Sequence, residues 1–321
     1  MVVRAAVVTG YGPPERVVIA ERPTPEPRRG EVLIRVAAAA VTSADARLRA
    51  GRFPKGFGIL ARLGVGLRGP RRAVLGAALS GTIERVGPGV AGFAIGDDVA
   101  GMSGTRMGAH AELAAVPVTS LVHKPAAVSH PEAAGVLFGG TTALYFLRDR
   151  AGIRQGQAVL VNGASGAVGS SAVQLATLAG AEVTAVTSSR NVDLVTRLGA
   201  DHVVDHTSTP VTALPGPYDV VLDAVGNVSR TDGLRLLAPD GVLILAVASL
   251  FDTLRARGRV IAGPAPERAE DIAHLLELTA SGRLEPLTEV LGGLDSLPEA
   301  YRRIDTGHKV GNIVVLPGVP D

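Results

Sequence analysis

Cysteine and tryptophan are absent from this 321-residue chain, and only 3% of its residues are aromatic. Without cysteine, disulfides, thiolate catalysis and cysteine-ligated zinc are excluded, whereas sites built from histidine and carboxylates stay open. Few aromatic rings leave few surfaces on which bases can stack, and the formal net charge is only +2, with basic residues spread along the chain. We therefore expect no nucleic-acid partner.

Long hydrophobic runs are also missing. No uninterrupted apolar run reaches the about 18 residues of a membrane-spanning helix, and the start, MVVRAAVVTGYG, lacks the parts of a secretory signal. Hydrophobic residues still make up 46% of the chain, which is enough for sizeable cores, and the length suits two domains. We expect a cytoplasmic protein with no membrane partner.

The composition changes near residue 123. Residues 1–122 are rich in glycine, proline and short β-like runs, which predicts a mostly antiparallel β domain. Residues 123–284 alternate strands and helices, which predicts an α/β, doubly wound, six-stranded parallel sheet. We expect residues 285–321, with a β-like run at 310–316, to complete the first domain. The six parallel strands are predicted at Ala158–Val161, Glu182–Thr187, His202–Val204, Asp219–Asp223, Val242–Val247 and Arg259–Ala262.

A glycine-rich turn lies between the first two of these strands and opens a helical stretch. Small residues in such a turn let backbone N–H groups approach a pyrophosphate at the helix N-terminus, and Gly169 lets the helix pack closely on the strand. Ala164 stands where the usual fingerprint has its first glycine. The candidate cofactor-binding residues are Ala164, Ser165, Gly166, Ala167, Val168 and Gly169.

The end of the second strand indicates which dinucleotide is bound. An acid there would bind a ribose 2′-hydroxyl and repel a 2′-phosphate, but the chain has Ser188, Ser189 and Arg190. Two hydroxyls and a guanidinium suit a phosphate, so we predict NADP(H) as the cofactor. In the alternative interpretation, Ser189 or Asn191 caps the helix 192–198 and Arg190 is only solvated.

Several further motifs accompany the nucleotide turn. They are Leu75-Gly76 with Ser80-Gly81, Val86-Gly87, Gly96-Asp97-Asp98-Val99, Gly108-Ala109-His110-Ala111-Glu112, the Gly139–Ala143 stretch and Leu198-Gly199-Ala200-Asp201. Together they resemble the medium-chain dehydrogenase/reductase superfamily, and within it the zinc-free quinone oxidoreductase branch that includes zeta-crystallin-like proteins. The resemblance implies a Rossmann domain beside a mostly β, GroES-like catalytic domain. It also implies hydride transfer in the cleft between the domains, and a homodimer in which the runs Val242–Val247 and Arg259–Ala262 pair sheet edges.

The chain departs from the zinc-bearing relatives at their metal ligands. Those relatives carry a Cys-His pair and a Gly-His-Glu signature where this chain has Thr42-Ser43 and Gly76-Ala77-Ala78, and a third cysteine would fall near Phe138. We therefore predict no metal site. Without a Lewis acid, an unactivated carbonyl needs another oxyanion stabiliser, whereas a conjugated acceptor spreads its charge to an oxygen that hydroxyl or backbone donors can stabilise.

The resemblance places the loop at residues 42–45 opposite the nicotinamide. We nominate Thr42 and Ser43 as substrate donors and Asp45 as the group that orients them. For Asp45 the alternative is structural: an N-cap, or a salt bridge to Arg47 or Arg49.

Further cofactor contacts are implied by the resemblance. Thr141 is similar to a threonine that neighbours the nicotinamide in relatives and is a catalytic and cofactor candidate, although Thr142 could equally cap a helix at 143–150. The backbone of Val247-Ala248-Ser249 is expected to contact the carboxamide. Gly311-Asn312 stands where relatives usually carry Gly-Lys, so these two residues are weaker cofactor candidates.

Two ionisable residues have both catalytic and ordinary interpretations. His110 is favoured as a packing residue over a proton donor, and Lys309, in the turn before the last strand, is favoured as a solvated lysine.

The segment 51–72 interleaves apolar and basic residues. Contact with a membrane surface is one interpretation, but its glycines would interrupt an interfacial helix, so a cover over the active-site mouth is favoured. Phe53, Phe57, Ile59 and Leu60 are the candidates for a hydrophobic substrate wall.

These observations predict an NADPH-dependent, zinc-independent reductase of quinones or α,β-unsaturated carbonyls, including enoyl reductases of biosynthetic pathways. A carbonyl reductase or alcohol dehydrogenase is the enzymatic alternative. A non-catalytic NADPH-binding protein is the alternative from another class.

Overall fold

The structure is a computed structural model that describes residues 2–319. It divides into two compact units. Unit 1 comprises Met1–Phe53, Gly58–Phe138 and Glu267–Asp321, and unit 2 comprises Pro54–Phe57 and Gly139–Pro266. Residues 123–138 and 267–284, expected in the second domain, are thus grouped with unit 1.

The strands and helices are as follows. The strands are β1 (Val2–Val8), β2 (Val17–Pro23), β3 (Glu31–Val41), β4 (Ala78–Val86), β5 (Asp98–Met102), β6 (Leu113–Pro117), β7 (Leu121–His123), β8 (Ala158–Asn162), β9 (Glu182–Thr187), β10 (His202–Asp205), β11 (Tyr218–Asp223), β12 (Leu237–Leu245), β13 (Val260–Ala262), β14 (Thr288–Val290) and β15 (Asn312–Val315). The helices are α1 (Ser43–Ala50), α2 (Gly58–Val65), α3 (His130–Leu144), α4 (Ala167–Leu178), α5 (Val192–Arg197), α6 (Arg230–Arg235), α7 (Leu250–Leu254), α8 (Ala269–Ala280) and α9 (Leu297–Asp305), and a π-helical segment, Tyr145–Ala151, follows α3.

Unit 1 is built around a seven-stranded sheet. Its strand order is β14-β15-β3-β4-β5-β7, with β6 also paired to β3, and all pairs except β14 with β15 are antiparallel. Strand β3 is long and buried along most of its length, so it forms the centre of the core together with β4 and the buried face of α9. A two-stranded sheet of β1 and β2 completes the β structure.

Helix α8 explains why residues 267–284 group with unit 1. It packs on β5 and β7, and its apolar face, which includes Ile272, Leu275 and Leu276, is fully buried. This helix is amphipathic and locally indistinguishable from a crossover helix of the parallel sheet, so its packing partner could not be inferred from its own residues.

Unit 2 contains the predicted six-stranded parallel sheet. Its order, β10-β9-β8-β11-β12-β13, reverses direction between β8 and β11, which is the switch point where doubly wound sheets bind their ligands. The mostly β first domain and the Rossmann-type sheet are therefore both confirmed.

Two predictions about individual elements were wrong. Strand β12 is hydrogen-bonded on both sides, to β11 and β13, so it offers no free edge for a dimer, whereas β13 does lie at the edge. Thr142 caps no helix, because it lies inside α3. Helix α3 begins much earlier because Ser129 and Glu132 form a capping box, with Ser129 N donating to Glu132 Oε2 at 2.9 Å, and Pro131 follows at the first turn.

Candidate active site

The turn after β8 forms a tight glycine cradle in unit 2. Gly163 has a left-handed φ of +82°, and its backbone N donates to Val186 O on the neighbouring strand at 3.1 Å. A Cβ on Gly169 would lie 2.1 Å from Gly163 O, so α4 approaches the turn to a distance that only glycine permits. A Cβ on Gly166 would meet nothing nearer than 3.4 Å. These contacts leave the N-terminus of α4 accessible to a pyrophosphate.

The glycine with the left-handed φ, Gly163, precedes Ala164 in the turn. Ala164 is fully buried, and its backbone N donates to Val186 O at 3.0 Å, so it helps attach the turn to β9. The spacing Gly163-x-x-Gly166-x-x-Gly169 was the sequence signal for this turn.

Side chains of the turn are attached to the end of β9. Ser165 Oγ accepts from Thr187 Oγ1 and from Asn191 Nδ2, each at 3.0 Å. Asn191 stands at the N-cap position of α5, but its side chain makes no capping hydrogen bond there. Asn191 thus connects the segment after β9 to the nucleotide turn.

The residues expected to select the cofactor lie at the surface just after β9. Ser189 and Arg190 are exposed and Ser188 is half-buried. The Arg190 guanidinium has no hydrogen bond or ion pair within residues 2–319. Asp205, at the end of β10, lies opposite Thr187 in the sheet register, and hydrogen bonds from Thr207 lower the pKa of its carboxyl. An ionised acid and a solvent-facing guanidinium therefore lie near the same strand ends.

A buried polar cluster that the sequence reasoning missed orders the loop after β11. Asp223 is fully buried and accepts from Asn162 Nδ2 at 2.8 Å and from the backbone N of Val225, Gly226 and Val228. Asn162 also donates to Asn227 Oδ1 at 2.7 Å. In the sequence, the only local sign of this cluster is that the apolar strands β8 and β11 each end in a polar residue. These ends lie at the carboxyl edge of the sheet, where such sheets bind ligands.

The loop after β12 meets this cluster. A Cβ on Gly226 would contact Val247 at 3.0 Å, and Ser249 caps α7 by accepting from Asp252 N at 3.1 Å. Ala248 lies between them and is half-buried. The three expected carboxamide-contacting residues thus lie in a loop next to the loop after β11.

Thr141 lies in the part of α3 that belongs to unit 2. The residue two positions earlier, Gly139, packs so tightly that a Cβ there would lie 2.3 Å from Ala167 O, at the start of α4. Thr141 itself is buried. Ala167 and Val168 open α4 in the helix turn where the cofactor pyrophosphate is expected.

In unit 1, Asp45 joins the loop at residues 42–43, where α1 begins, to the loop at Gly76. Its Oδ2 accepts from Thr42 N at 2.9 Å and from Thr42 Oγ1 at 2.6 Å, and its Oδ1 accepts from Gly76 N at 3.1 Å. Thr42 Oγ1 in turn accepts from Asp45 N, which completes a capping box on α1. No ion pair joins Asp45 to Arg47 or Arg49 in the described chain.

This arrangement separates the two hydroxyl candidates. The Thr42 hydroxyl uses its only proton in the hydrogen bond that it donates to Asp45, so it has no proton left to donate to a substrate. Ser43, the first residue of α1, is half-buried, and its hydroxyl makes no hydrogen bond to any residue between 2 and 319.

His110 packs beneath the same loops. Its Nε2 lies 3.1 Å from Ala40 O, and its ring lies so close to Gly76 that a Cβ there would come within 2.5 Å. Gly76 has a φ of +86°. Burial lowers the pKa of His110, so the ring is neutral near pH 7, and burial raises the pKa of the neighbouring Tyr301 well above its usual value. His110 is placed as a packing residue.

The last candidates lie before β15. Asn312 is buried and donates from Nδ2 to Pro286 O at 2.6 Å, while Gly311, at φ +54°, leaves space for Leu287 O. Lys309 is half-buried and not fully solvated: its Nζ donates to Gly311 O, and desolvation lowers its pKa to about 8.

The four substrate-wall candidates differ in burial. Phe53 and Phe57 are half-buried, and Phe53 makes an edge contact with Tyr11 at a centroid distance of 6.2 Å. Ile59 and Leu60, on α2, are 80% and 60% exposed.

Residues 2–319 hold no group of three or more His, Asp or Glu side chains arranged to bind a metal ion. Within the same range, none of the helices is both long and apolar enough to cross a bilayer.

Comparisons with known proteins agree with this architecture. Residues 28–126 match the alcohol dehydrogenase GroES-like domain family, and residues 198–315 match the zinc-binding dehydrogenase family. The chain is 30% identical to a chloroplastic quinone-oxidoreductase of Triphysaria versicolor, over 92% of this chain and 93% of that protein. It is also 30% identical to an acryloyl-coenzyme A reductase of Sulfurisphaera tokodaii, over 95% and 98% of the two chains. The structure of a quinone oxidoreductase from Coxiella burnetii superposes with a TM-score of 0.88 at 26% identity and covers 98% of this chain and 99% of its own.

Proposed function

Because the chain belongs to the quinone oxidoreductase branch of the medium-chain dehydrogenase/reductase superfamily, we propose that it uses NADPH to reduce a quinone or an α,β-unsaturated carbonyl. The protein is an oxidoreductase of a family that uses nicotinamide cofactors and acts on small molecules. The proposal concerns the choice of NADPH, the class of acceptor and the residues that act.

The Thr42–Asp45–Gly76 arrangement carries the proposal. Where the resemblance implies zinc ligands in the metal-bearing relatives, the buried carboxylate of Asp45 accepts from the Thr42 hydroxyl and from Gly76 N, and the neighbouring Ser43 hydroxyl has no partner among residues 2–319. The Ser43 hydroxyl is therefore the hydrogen-bond donor that this loop offers, without the charge of a metal ion. Neutral donors are sufficient when the negative charge formed on the acceptor is delocalised, as in an enolate or a quinol anion. The site therefore favours conjugated acceptors over isolated aldehydes and ketones.

Ser43 is the substrate donor in this proposal, and Asp45 is its positioning residue. Asp45 fixes the first turn of α1 through Thr42, which leaves the Ser43 hydroxyl available at the helix N-terminus. The partial positive charge of this terminus favours developing negative charge on a nearby oxygen. Phe53 and Phe57 are better candidates for the substrate wall than Ile59 and Leu60, because they are half-buried.

The glycine cradle of unit 2 fits a dinucleotide. Gly163 and Gly169 let the turn and α4 meet closely, and a Cβ on Gly166 would have only Gly163 O nearby, so a pyrophosphate can approach the N-terminus of α4. The Gly166 N–H itself donates to Gly163 O at 3.0 Å and stabilises the turn. Bound here, the nicotinamide cofactor would supply the hydride. Thr141, close in sequence to the Gly139 contact with Ala167, and the loop 247–249 remain the proposed contacts for the nicotinamide end. Gly311 and Asn312 are weaker candidates, because Asn312 already donates to Pro286.

Arg190 is the proposed contact for the 2′-phosphate of NADPH. It is exposed, it has no partner among the described residues, and Ser188 and Ser189 precede it. Asp205 is the competing signal, since an ionised carboxylate beside Thr187 would disfavour a 2′-phosphate and suit a ribose hydroxyl.

The cofactor proposal predicts opposite effects of two variants. We expect Arg190→Ala to raise the KM for NADPH at least about tenfold and to leave the KM for NADH nearly unchanged, because a charge-assisted phosphate contact is lost. Asp205→Asn, the matched control, should change the KM for NADPH little or lower it. Equal KM values for both cofactors in the unaltered enzyme, or a selective loss of NADH use in Asp205→Asn, would show that the enzyme is not NADPH-specific.

The acceptor proposal is tested with a substrate panel. Quinones, enones and simple aldehydes are incubated with NADPH, cofactor oxidation is followed by absorbance, and the enone product is identified. We expect an enone product that keeps its carbonyl and loses its alkene, and unchanged rates after treatment with a chelator. An allylic alcohol product would instead support the carbonyl reductase alternative, and loss of activity with a chelator would contradict the zinc-independent mechanism.

A cytoplasmic homodimer is also part of the proposal. Within unit 2, β13 (Val260–Ala262) lies at the edge of the sheet and could pair with its counterpart in a second copy. Light scattering of the purified chain measures the oligomeric state directly.

A further inference from the structure

Helix α2 buries none of its residues, although most of them are apolar. Ile59, Leu60 and Leu63 recur at helical spacing and are 80%, 60% and 56% exposed, and Leu67, just after the helix, is 67% exposed. We call these four residues the α2 stripe. A contiguous group of large exposed aliphatic side chains on a folded protein marks a surface that contacts something else.

The opposite side of the segment is anchored to unit 1. Tyr11 donates from its hydroxyl to Gly66 O at 2.7 Å, and its backbone N donates to Arg68 O at 3.1 Å. The Arg62 guanidinium lies over the Tyr11 ring at 5.6 Å from its centroid. The segment is therefore held in place by polar and cation–π contacts, while its aliphatic side chains point away from the unit.

The surroundings of the stripe are basic. Residues 46–83 contain no Asp or Glu, and Arg62, Arg68, Arg71 and Arg72 are all exposed. The chain as a whole carries a net charge of only +2, so this positive charge is a local feature. Aliphatic side chains flanked by guanidinium groups are the composition of helices that lie in the interface of an anionic bilayer.

The glycines do not prevent a helix here. Glycines were expected to interrupt an interfacial helix in this segment, yet an eight-residue helix forms from Gly58 to Val65 with Gly64 inside it. Gly66, at φ +144°, ends the helix and turns the chain towards Arg68.

We propose that the α2 stripe, with the arginines beside it, docks this protein on the surface of a membrane that contains anionic lipid. The leucines and isoleucine would enter the headgroup and upper acyl region, and the guanidinium groups would pair with lipid phosphates. This contact is peripheral and reversible.

Vesicle co-sedimentation of the full chain tests the proposal. The vesicles contain phosphatidylcholine alone, or phosphatidylcholine mixed with phosphatidylglycerol. We expect binding to the mixed vesicles only, and weaker binding as salt is raised. Arg68→Gln/Arg72→Gln should weaken binding about fivefold for each guanidinium removed. Leu63→Ser/Leu67→Ser should weaken it more than about tenfold.

A matched control removes two exposed arginines elsewhere. Arg22→Gln/Arg29→Gln changes the net charge equally, so it should bind almost as the unaltered chain does. If this control loses as much affinity as Arg68→Gln/Arg72→Gln, only overall charge matters and the assigned surface is wrong.

Other occupants of the stripe give other results. Binding to neither vesicle, together with a dimer that Leu63→Ser/Leu67→Ser converts to monomer in light scattering, would show that a second copy covers the stripe. Equal binding to both vesicles that is insensitive to the arginine variants would show non-specific apolar adhesion. Either result overturns the proposal.

Discussion

Asp45 shows how one buried carboxylate can serve both structure and the proposed chemistry. Its two oxygens accept hydrogen bonds from the backbone of Thr42 and of Gly76, which are far apart in sequence, and from the Thr42 hydroxyl. From the sequence, Asp45 was expected to have either a structural or an orienting role. In the structure it caps α1, and by doing so it decides which neighbouring hydroxyl keeps a free proton.

At this scale we predict that Asp45→Asn lowers the free energy of unfolding by about 1–3 kcal/mol. An amide keeps the size of the side chain, but its NH₂ group cannot accept a hydrogen bond. It would face an N–H or O–H group that donates to the carboxylate in the unaltered chain. Urea denaturation measures the change. Asp193→Asn, an exposed acid in the first turn of α5, is the control and should change stability by less than about 0.5 kcal/mol. A variant at position 45 as stable as the unaltered chain would contradict the role assigned to the carboxylate.

At the scale of the element, the strand, turn and helix from β8 to α4 follow from local sequence. Apolar runs predict both strands of the βαβ unit, and β9 has the bounds that its pattern predicted. Within the turn, Gly163 has the left-handed φ, and Ala164 after it is buried. Helix α3 shows the opposite case: its start was missed, although Ser129 and Glu132 are a readable capping box.

Two glycines of the turn provide a paired prediction. In Gly169→Ala the new Cβ would lie 2.1 Å from Gly163 O, so the backbone must move. We expect the free energy of unfolding to fall by at least about 2 kcal/mol, and we expect cofactor binding to be lost as well. Gly166→Ala has only a 3.4 Å contact and should leave stability within about 1 kcal/mol. Thermal unfolding and NADPH titration measure both effects. Equal stability of the two variants would contradict the close approach of α4 to the turn.

At the scale of the whole molecule, the two units differ in how much of their strand pairing and packing can be predicted from the sequence. The parallel sheet of unit 2 comes from consecutive periodic segments, and its strand order follows general rules of chain connection. Unit 1 collects strands from both ends of the chain, with β14 and β15 joined to β3. The sequence predicted that residues 285–321 return to the first domain. It did not predict that residues 123–138 and 267–284 group with unit 1, because packing such as that of α8 on β5 and β7 depends on partners distant in sequence.

Lys309 makes the stability of the folded chain depend on pH. Its pKa falls to about 8 in the folded state, below its value of about 10.4 in an unfolded chain, because burial disfavours the charged form. Between about pH 8 and 10.4 the unfolded state binds more protons, so this lysine raises the stability of the fold as pH rises and lowers it below pH 8.

We therefore predict that Lys309→Met is more stable than the unaltered chain at pH 7, by about 1–3 kcal/mol, and that the difference shrinks towards pH 10. Urea denaturation at several pH values measures it. Lys55→Met, at an exposed lysine, is the control and should show no such trend. A constant difference between Lys309→Met and the unaltered chain across this range would contradict the assigned pKa.

The sequence by itself determined the fold class, the six parallel strands, the glycine-rich turn after β8 and the absence of cysteine and histidine at Thr42-Ser43 and Ala77-Ala78. These features depend on local periodicity or on residue types, which a single chain displays directly. The tertiary structure alone decided that Asp45 accepts hydrogen bonds from the Thr42 hydroxyl and from Gly76 N, and that the α2 stripe faces outward. The reason is physical: hydrogen-bond partners and burial are set by residues that the folded backbone brings together from distant parts of the sequence.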